Sequence, residues 1–260
     1  MPDSPSTKLN ANTQVSGRLG PELFADGPAR DERFVVKERW RECVNLPEDH
    51  PLHQVQFLHR QMNEEVNGLE CSARCLSDFR DADWDLRMCF ARQCADEARH
   101  ARMFRRQLES QGGNVGQFPV LNFQYRIITK AATVLGRLTI QNRTFEAGGI
   151  DAVSWVAEQV RASGDAGSAD FFDSQLADEI THVRFANEWL RRRIRAHPRE
   201  LLQMGSVMAL AAKAFEQVMG KEATEGVHYP TDRAGRMEAG FTGDEVDFAA
   251  ELAQRAAGKS

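Results

Sequence analysis

The sequence predicts an all-α protein in which four long helices form the centre of the fold. Apolar residues recur at steps of three and four along each long segment, which is typical of helices that bury one face. Gly, Pro and capping residues separate these segments, and no strand pattern extends beyond a few positions. With 260 residues and 42% apolar content, the chain can bury one substantial core.

Three regions differ in composition. Residues 1–30 combine several prolines with Ser, Asn and Gly, a composition that predicts a flexible arm. Residues 31–222 carry the helical domain, which opens with a short helix or irregular segment ending at Pro47. Residues 223–260 form a tail, in which the capping-box spacing of Thr242 and Glu245 predicts a final short helix that packs on the bundle.

The helices of the domain are expected in two hairpins. The first two are antiparallel neighbours because their connection is short. The link before the third is long enough to cross the bundle, and we expect the third helix to end at Gly148 and Gly149. A short extra helix follows before the fourth long one. The expected helices cover about 52–79, 84–111, 127–147, 151–162, 169–196 and 198–220.

Bulk properties restrict the partners and the compartment. The net charge of -5 provides no general attraction to nucleic acid or to anionic membranes, so a nucleic-acid partner is not favoured. No apolar run approaches 18 residues and no secretory signal is visible, so we expect no membrane span and a cytoplasmic location. The five cysteines lack zinc-finger spacing and are expected to be reduced.

One motif is written twice. The pattern F-x-x-Q-x-A-D-E-x-x-H-x-R runs from Phe90 to Arg102 and again from Phe172 to Arg184. Residues three apart lie on one face of a helix, so each Glu and His pair points the same way, at a spacing that suits metal binding. Seven matched positions in two copies argue strongly against coincidence.

A dinuclear metal site in a helical bundle takes a Glu from each of two helices and a Glu-x-x-His pair from each of the other two. The second helix supplies Glu97 and His100, and the fourth supplies Glu179 and His182. On the third helix Glu146 precedes Glu179 by 33 residues and is the natural third carboxylate. These five residues are predicted metal ligands.

The first helix offers three glutamates for the remaining position. Counted back from Glu97, Glu64 gives 33 residues, Glu65 gives 32 and Glu70 gives 27. Glu65 lies on the apolar stripe of its helix, whereas Glu64 points toward polar neighbours, so we predict Glu65 as the ligand. Glu70 remains a candidate for an additional ligand or for a supporting group beside the metals.

Four carboxylates that converge in an apolar bundle cannot all stay ionised unless cations neutralise them. Oxygen and imidazole ligands without thiolate favour iron or manganese. Each histidine needs a partner for its second ring nitrogen, and Asp96 and Asp178 are candidates for this, in pairings that could cross the bundle.

At this point the sequence resembles the ferritin-like di-iron carboxylate superfamily. The run from Asp96 to His100 matches the D-E-x-R-H motif of its monooxygenases, although the second copy has Thr181 in place of Arg. The likeness is closest to a branch of mostly unassigned function that is distantly similar to tRNA-hydroxylating monooxygenases. Over roughly residues 50–250 it implies a ferritin-like four-helix bundle with additional helices and a crossover. The cofactors it implies are two iron ions, with manganese and iron as an alternative pair, and O2 as co-substrate.

The resulting functional hypothesis is an O2-dependent non-haem di-iron oxygenase that hydroxylates, desaturates or oxidises a heteroatom of a small organic substrate. A tRNA-modifying hydroxylase and an iron-storage or ferroxidase protein are the alternatives. An electron donor and a homodimer are expected. His228 and residues 233–241 are expected to cover the site, and no radical role is assigned to Tyr125 or Tyr229. The predicted pocket residues are Gln93, Asn142, Arg143 and Gln175.

Overall fold

The computed structural model describes Gly27, residues 30–220 and residues 229–257. Most of these residues are helical, so the prediction of an all-α protein is confirmed. None of the helices in these ranges is long and apolar enough to cross a membrane. The helices are α1 (His53–Asp78), α2 (Trp84–Ser110), α3 (Phe123–Lys130), α4 (Val134–Ile140), α5 (Ala147–Ala162), α6 (Ala166–Ala196), α7 (Glu200–Met219), α8 (Arg233–Glu238) and α9 (Gly243–Ala257).

Two helical hairpins form the centre of the described structure. The first joins α1 to α2, and the second joins α5 to α6 through a turn in which Gly164 has a positive φ of 84°. Side chains at helical spacing, such as Leu58 and Met62 of α1, pack against Phe104 and Leu108 of α2. Contacts between α2 and α6 bring the two hairpins together along the helices that carry the doubled motif.

The third long helix differs from the prediction. A π-helical segment, Gln141–Glu146, joins α4 to α5, so the chain is helical without a break from Val134 to Ala162. The predicted end at Gly148 and Gly149 is wrong, and residues 151–162 continue this helix. Burial of Ala147 and Ile150 against α6 offsets the helix cost of about 1 kcal/mol per glycine.

The break lies earlier in the chain, between α3 and α4. Thr133 precedes α4, and its hydroxyl accepts a hydrogen bond from the Gly136 amide at 3.0 Å. This N-cap satisfies a backbone donor that the first turn of a helix leaves without a partner. The predicted helix over 127–147 therefore spans two helices.

The segment before α1 is mostly irregular, in agreement with one of the two expectations for it. It contains β1 (Val36–Lys37) and a 3-10 turn at Trp40–Glu42. β1 pairs in parallel with β2 (Val120–Leu121), which lies in the link between α2 and α3. Of the predicted arm, only Gly27 and Arg30 fall within the described residues.

The tail packs on the second hairpin. Phe241 and Val246 join Ile150 and Val183 in one buried cluster, and the capping box at the start of α9 is present. Arg236 of α8 binds Asp151 of α5 through two hydrogen bonds of 2.9 and 2.7 Å. Residues 221–228 lie outside the described ranges, including His228 and the predicted boundary after residue 222.

Candidate metal centre

Six buried side chains from four helical segments converge between the hairpins. Glu65 comes from α1, and Glu146 comes from the end of the π segment. The doubled motif supplies one Glu and His pair from α2 and another from α6. None of the six is more than 8% exposed. They are the residues predicted as ligands: Glu65, Glu97, His100, Glu146, Glu179 and His182.

The six side chains form two overlapping groups that could each hold a metal ion. Within each group, one oxygen or nitrogen per residue lies within 4.8 Å of the others. Glu97 and Glu179 belong to both groups, so they would bridge two neighbouring ions. The first group adds Glu65 and His100, and the second adds Glu146 and His182.

Each histidine directs Nδ1 toward the carboxylates. His100 Nδ1 lies 3.2 Å from Glu65 Oε2, 3.5 Å from Glu97 Oε2 and 3.6 Å from Glu179 Oε1. His182 Nδ1 lies 3.5 Å from Glu97 Oε1 and 3.6 Å from Glu179 Oε2. The two imidazoles thus lie in equivalent positions on the two sides of the carboxylates that both groups share.

The second nitrogen of each imidazole contacts an aspartate from the other copy of the motif. His100 Nε2 lies 3.1 Å from Asp178 Oδ2, and His182 Nε2 lies 3.3 Å from Asp96 Oδ2. Arg99 pairs with Asp178, and Arg92 Nε donates to Asp96 at 3.3 Å. Aspartates in these positions fix the ring orientation and keep Nδ1 facing the carboxylate cluster.

Without cations, the histidines are held in their protonated forms. Burial lowers the pKa of His100, but hydrogen bonds to Glu65 and Glu97 outweigh burial and raise that pKa to about 9. Burial opposes protonation of His182 as well, and its contacts with Asp96 and Glu179 raise the pKa to about 10. Both rings must lose a proton before Nδ1 can bind a metal.

The carboxylates divide between protonated and ionised forms for the same reason. Burial raises the pKa of Glu65 to about 8 and raises that of Glu146 well above its usual range, with repulsion from neighbouring carboxylates adding to both shifts. Burial also opposes ionisation of Glu179, but the adjacent His182 outweighs it and lowers the pKa to about 2. The cluster needs positive charge, which protons or metal ions can supply.

Two buried atoms at the centre have no hydrogen-bond partner, namely Glu179 Oε2 and His182 Nδ1. A buried polar atom of this kind costs about 1–3 kcal/mol unless something binds it. Both atoms face the other oxygen and nitrogen atoms of the cluster. Ligand atoms of these two elements suit divalent iron or manganese. These side chains therefore fit a pair of divalent metal ions.

Glu70 lies elsewhere. Its carboxylate accepts hydrogen bonds from Arg30 Nε at 2.9 Å and from Arg30 Nη2 at 2.8 Å, and this ion pair is largely buried. Arg30 also donates to Asn63 and Asn67 of α1. Among the described residues, Glu70 belongs to neither group of candidate ligands, so its predicted place beside the metals is not supported.

Two of the four predicted pocket residues support the carboxylates instead. Gln93 Nε2 donates to Glu97 Oε1 at 3.2 Å and to Glu146 Oε1 at 3.1 Å. Asn142 Nδ2 donates to Gln93 Oε1 at 3.0 Å and so holds that amide in place. Neither residue lines the cavity described below, so their prediction as pocket residues is corrected.

Arg143 was also predicted as a pocket residue, but it does not line the cavity described below. Its guanidinium binds Asn187 and Glu245 and lies 4.5 Å from the ring centroid of Phe241. Glu245 of the tail is therefore the ionic partner of this guanidinium. Helix position alone does not show that Glu245, about 100 residues later in the chain, binds Arg143.

A cavity of about 250 Å³ lies beside the cluster, with Glu65, Glu97, Glu146 and Glu179 in its wall. The predicted pocket residue Gln175 also lines it, and Gln175 Nε2 donates to Glu65 Oε1 at 2.9 Å. Sequence reasoning missed several lining residues, because a periodicity does not show which helix face borders empty space. They include Phe57, Gln61, Glu64, Gln124, Phe145, Val153, Val156 and Tyr229.

Fold and site together define a helical protein with a buried cluster of glutamate and histidine that could hold metal ions. Residues 6–247 match the family described as "Protein of unknown function (DUF455)", and the chain belongs to that family. An uncharacterized protein of Haemophilus influenzae is 24% identical over 164 residues, which are 63% of this chain and 54% of that protein. The chain thus spans about half the length of this relative. No solved structure was found to match the chain.

Proposed function

We propose that the protein is a ferritin-like di-iron oxygenase that uses O2 to oxidise a small organic molecule. The observation that carries this proposal is the pair of overlapping groups of candidate ligands, which share Glu97 and Glu179 and whose four glutamates line a cavity. The two hairpins, with ligands from four helical segments, agree with a ferritin-like bundle. Two iron ions, or one manganese and one iron, suit the donor atoms.

When bound and reduced, such a metal pair supplies the electrons and the O2 chemistry. The protein supplies the side chains that would hold the metal ions. Glu65, Glu97, His100 and Glu179 would hold one ion, and Glu97, Glu146, Glu179 and His182 would hold the other. Hydroxylation, desaturation and heteroatom oxidation are reactions that such a metal pair could support, with an electron donor as a partner.

Neighbouring amides and aspartates set the positions of the ligands. Gln93 and Gln175 fix carboxylate oxygens by donating hydrogen bonds to them. Asp96 and Asp178 accept from the outer nitrogen of each imidazole, which keeps the inner nitrogen free to bind. Burial of the whole cluster excludes bulk water from the reacting atoms.

The cavity favours a small organic substrate over the alternatives. Iron storage requires no apolar pocket beside the metals, whereas five aromatic and three aliphatic side chains of the described residues line this one. A tRNA substrate would be expected to meet basic side chains at the entrance, and no arginine or lysine is among the described residues that line the cavity. These observations rank the oxygenase first.

Anaerobic loading with Fe(II), followed by exposure to O2, tests the proposal. We expect rapid O2 uptake and a transient visible absorption band that the metal-free protein lacks. Glu179→Ala should abolish both signals because it removes a ligand from both groups. The exposed Glu158 of α5 offers a matched control, and Glu158→Ala should behave as wild type. Slow oxidation with growth of a mineral core would instead support storage, and no reaction with O2 would overturn the proposal.

A further inference from the structure

The chemistry of the cavity wall indicates what kind of molecule the cavity accepts. Its apolar part consists of rings and branched aliphatic chains, including Phe57, Phe145, Val153 and Val156. A cavity of about 150 Å³ can hold a benzene ring. The present volume of about 250 Å³ therefore admits one ring with a short chain, or an aliphatic group of similar size.

Two hydrogen-bond acceptors on this wall have no partner. Glu64 Oε2 and Gln175 Oε1 are both buried and accept no hydrogen bond. The Gln175 amide is oriented by its donation to Glu65, which leaves its oxygen as the free end. Leaving such acceptors empty is costly, so a ligand that donates hydrogen bonds gains affinity here.

The charge of the cavity wall also favours a ligand that donates hydrogen bonds. Five glutamates line the cavity, and four of them are candidate metal ligands whose charge bound cations would neutralise. Glu64 is the fifth and belongs to neither ligand group. Within the described part of the wall there is no arginine, lysine or histidine. An anionic substrate would meet repulsion without compensation, whereas a cation would be attracted.

Two arginines, Arg30 and Arg60, act on Glu64 from outside the cavity wall and have other partners of their own. Arg30 is bound to Glu70 and to two asparagines of α1. Arg60 lies over the rings of Trp40 and Phe57, at 5.5 and 5.9 Å from their centroids. Burial raises the pKa of Glu64 to about 6 and outweighs the charges of both arginines, which lower it. Neither arginine lines the cavity, and Glu64 Oε2 has no hydrogen-bond partner, so this oxygen can accept from a bound molecule.

We infer that the cavity binds an amine, with the ammonium or N–H group donating to Glu64 and an aromatic or branched aliphatic body on the apolar wall. The amine would be the substrate of the proposed oxygenase. Its oxidation rests on that proposal, whereas its binding to the cavity does not. Glu64 is assigned to binding the amine and takes no part in the reaction.

Calorimetric titration of the full chain, both metal-free and loaded anaerobically with Fe(II), tests this inference. The probes are phenethylamine, phenethyl alcohol and phenylacetate, which share a ring and differ in the polar group. We expect phenethylamine to bind most tightly, the alcohol more weakly and phenylacetate not at all. Equal or tighter binding of phenylacetate, or no saturable binding of the amine, would overturn the inference.

Two variants locate the binding site. Glu64→Gln should weaken phenethylamine about tenfold to a hundredfold, as expected when a hydrogen bond to a charged group is lost. Glu158→Gln makes the same change at an exposed position and should leave affinity unaltered. Ala152→Phe fills the cavity and should abolish binding, and thermal melting checks that each variant folds. Unchanged affinity in Glu64→Gln contradicts the assignment.

Metal counts on the same samples separate the two proposals. If wild type binds the amine through Glu64 but takes up no iron, the substrate class stands and the oxygenase proposal fails. If iron binds and the amine does not, the substrate class fails and the oxygenase proposal stands.

Discussion

Replacing Gly68 with alanine should damage metal binding while leaving the fold intact. Gly68 lies on α1 where that helix passes the Glu97 carboxylate. A Cβ there would lie 2.9 Å from Glu97 Cδ, 3.0 Å from Oε1 and 3.3 Å from Oε2. Carbon atoms pack best at about 3.5–4.0 Å, so the carboxylate must shift by several tenths of an ångström. It cannot turn away freely because it is buried and bound by Gln93.

Gly68→Ala should favour the helix but weaken metal binding. Alanine favours the helix by about 0.8–1 kcal/mol over glycine, which offsets much of the steric cost to stability. Metal-ligand distances tolerate deviations of only about 0.2 Å, so the displaced carboxylate should weaken metal binding. Mispositioned ligands typically lose about tenfold to a hundredfold in affinity. Both metal ions should be affected, because Glu97 belongs to both groups.

Optical titration with Co²⁺ as an air-stable substitute for Fe²⁺ measures the affinity, and urea unfolding measures stability. Gly205→Ala in α7 is the matched control, since a Cβ there meets nothing within 4 Å. We expect the control to gain about 1 kcal/mol of stability with unchanged Co²⁺ affinity. If Gly68→Ala binds Co²⁺ as wild type does, Glu97 is not a ligand at this site and the reasoning is refuted.

Three further predictions concern charge and protonation. Asp151→Ala leaves the partly buried Arg236 without its partner and should destabilise the fold by about 2–4 kcal/mol in urea unfolding, with metal content unchanged. Asp178→Asn weakens the acceptor at His100 Nε2 and should lower Co²⁺ affinity about tenfold or more, whereas exposed Asp170→Asn should not. The metal-free protein should lose stability as the pH rises from about 7 to 10 in thermal melts. The pKa values of His100 and His182 rise on folding from 6.5 to about 9 and about 10, so the stability their protonated forms provide is complete below pH 6.5 and is lost as pH passes the folded values. Unchanged or increasing stability between pH 7 and pH 10 would contradict this assignment.

Helical periodicity predicted much of the candidate site. The doubled motif placed two Glu and His pairs on inward faces, and the spacing of the hairpins located Glu146. Neighbouring residues on a helix differ by about 100° in direction, which distinguished Glu65 from Glu64 as the residue that faces the cluster. The sequence also provided Asp96 and Asp178 as candidate partners of the histidines, in pairings that could cross the bundle, and each contacts the histidine of the other copy.

Tertiary packing decided what periodicity could not. Two adjacent glycines usually end a helix. Here the helix continues through both of them. It passes close to α6, since a Cβ on Gly149 would lie 3.7 Å from Glu179 Oε2. The π segment before it adds residues to one turn, which no sequence period reveals. Arg143 and Glu70 were assigned to the site from helix position alone, and distant residues, Glu245 and Arg30, bind them instead. Thr133 was the available signal for the true helix start.

The number of metal ions bound per chain tests the central claim most directly. Wild-type protein loaded anaerobically with Fe(II) and freed of unbound metal should contain two iron ions per chain by elemental analysis. Glu146→Ala should retain about one, because Glu146 belongs to the second group only, and Glu97→Ala should retain close to none. A wild-type protein that retains no metal, or a Glu97→Ala protein that retains two ions, would contradict the account.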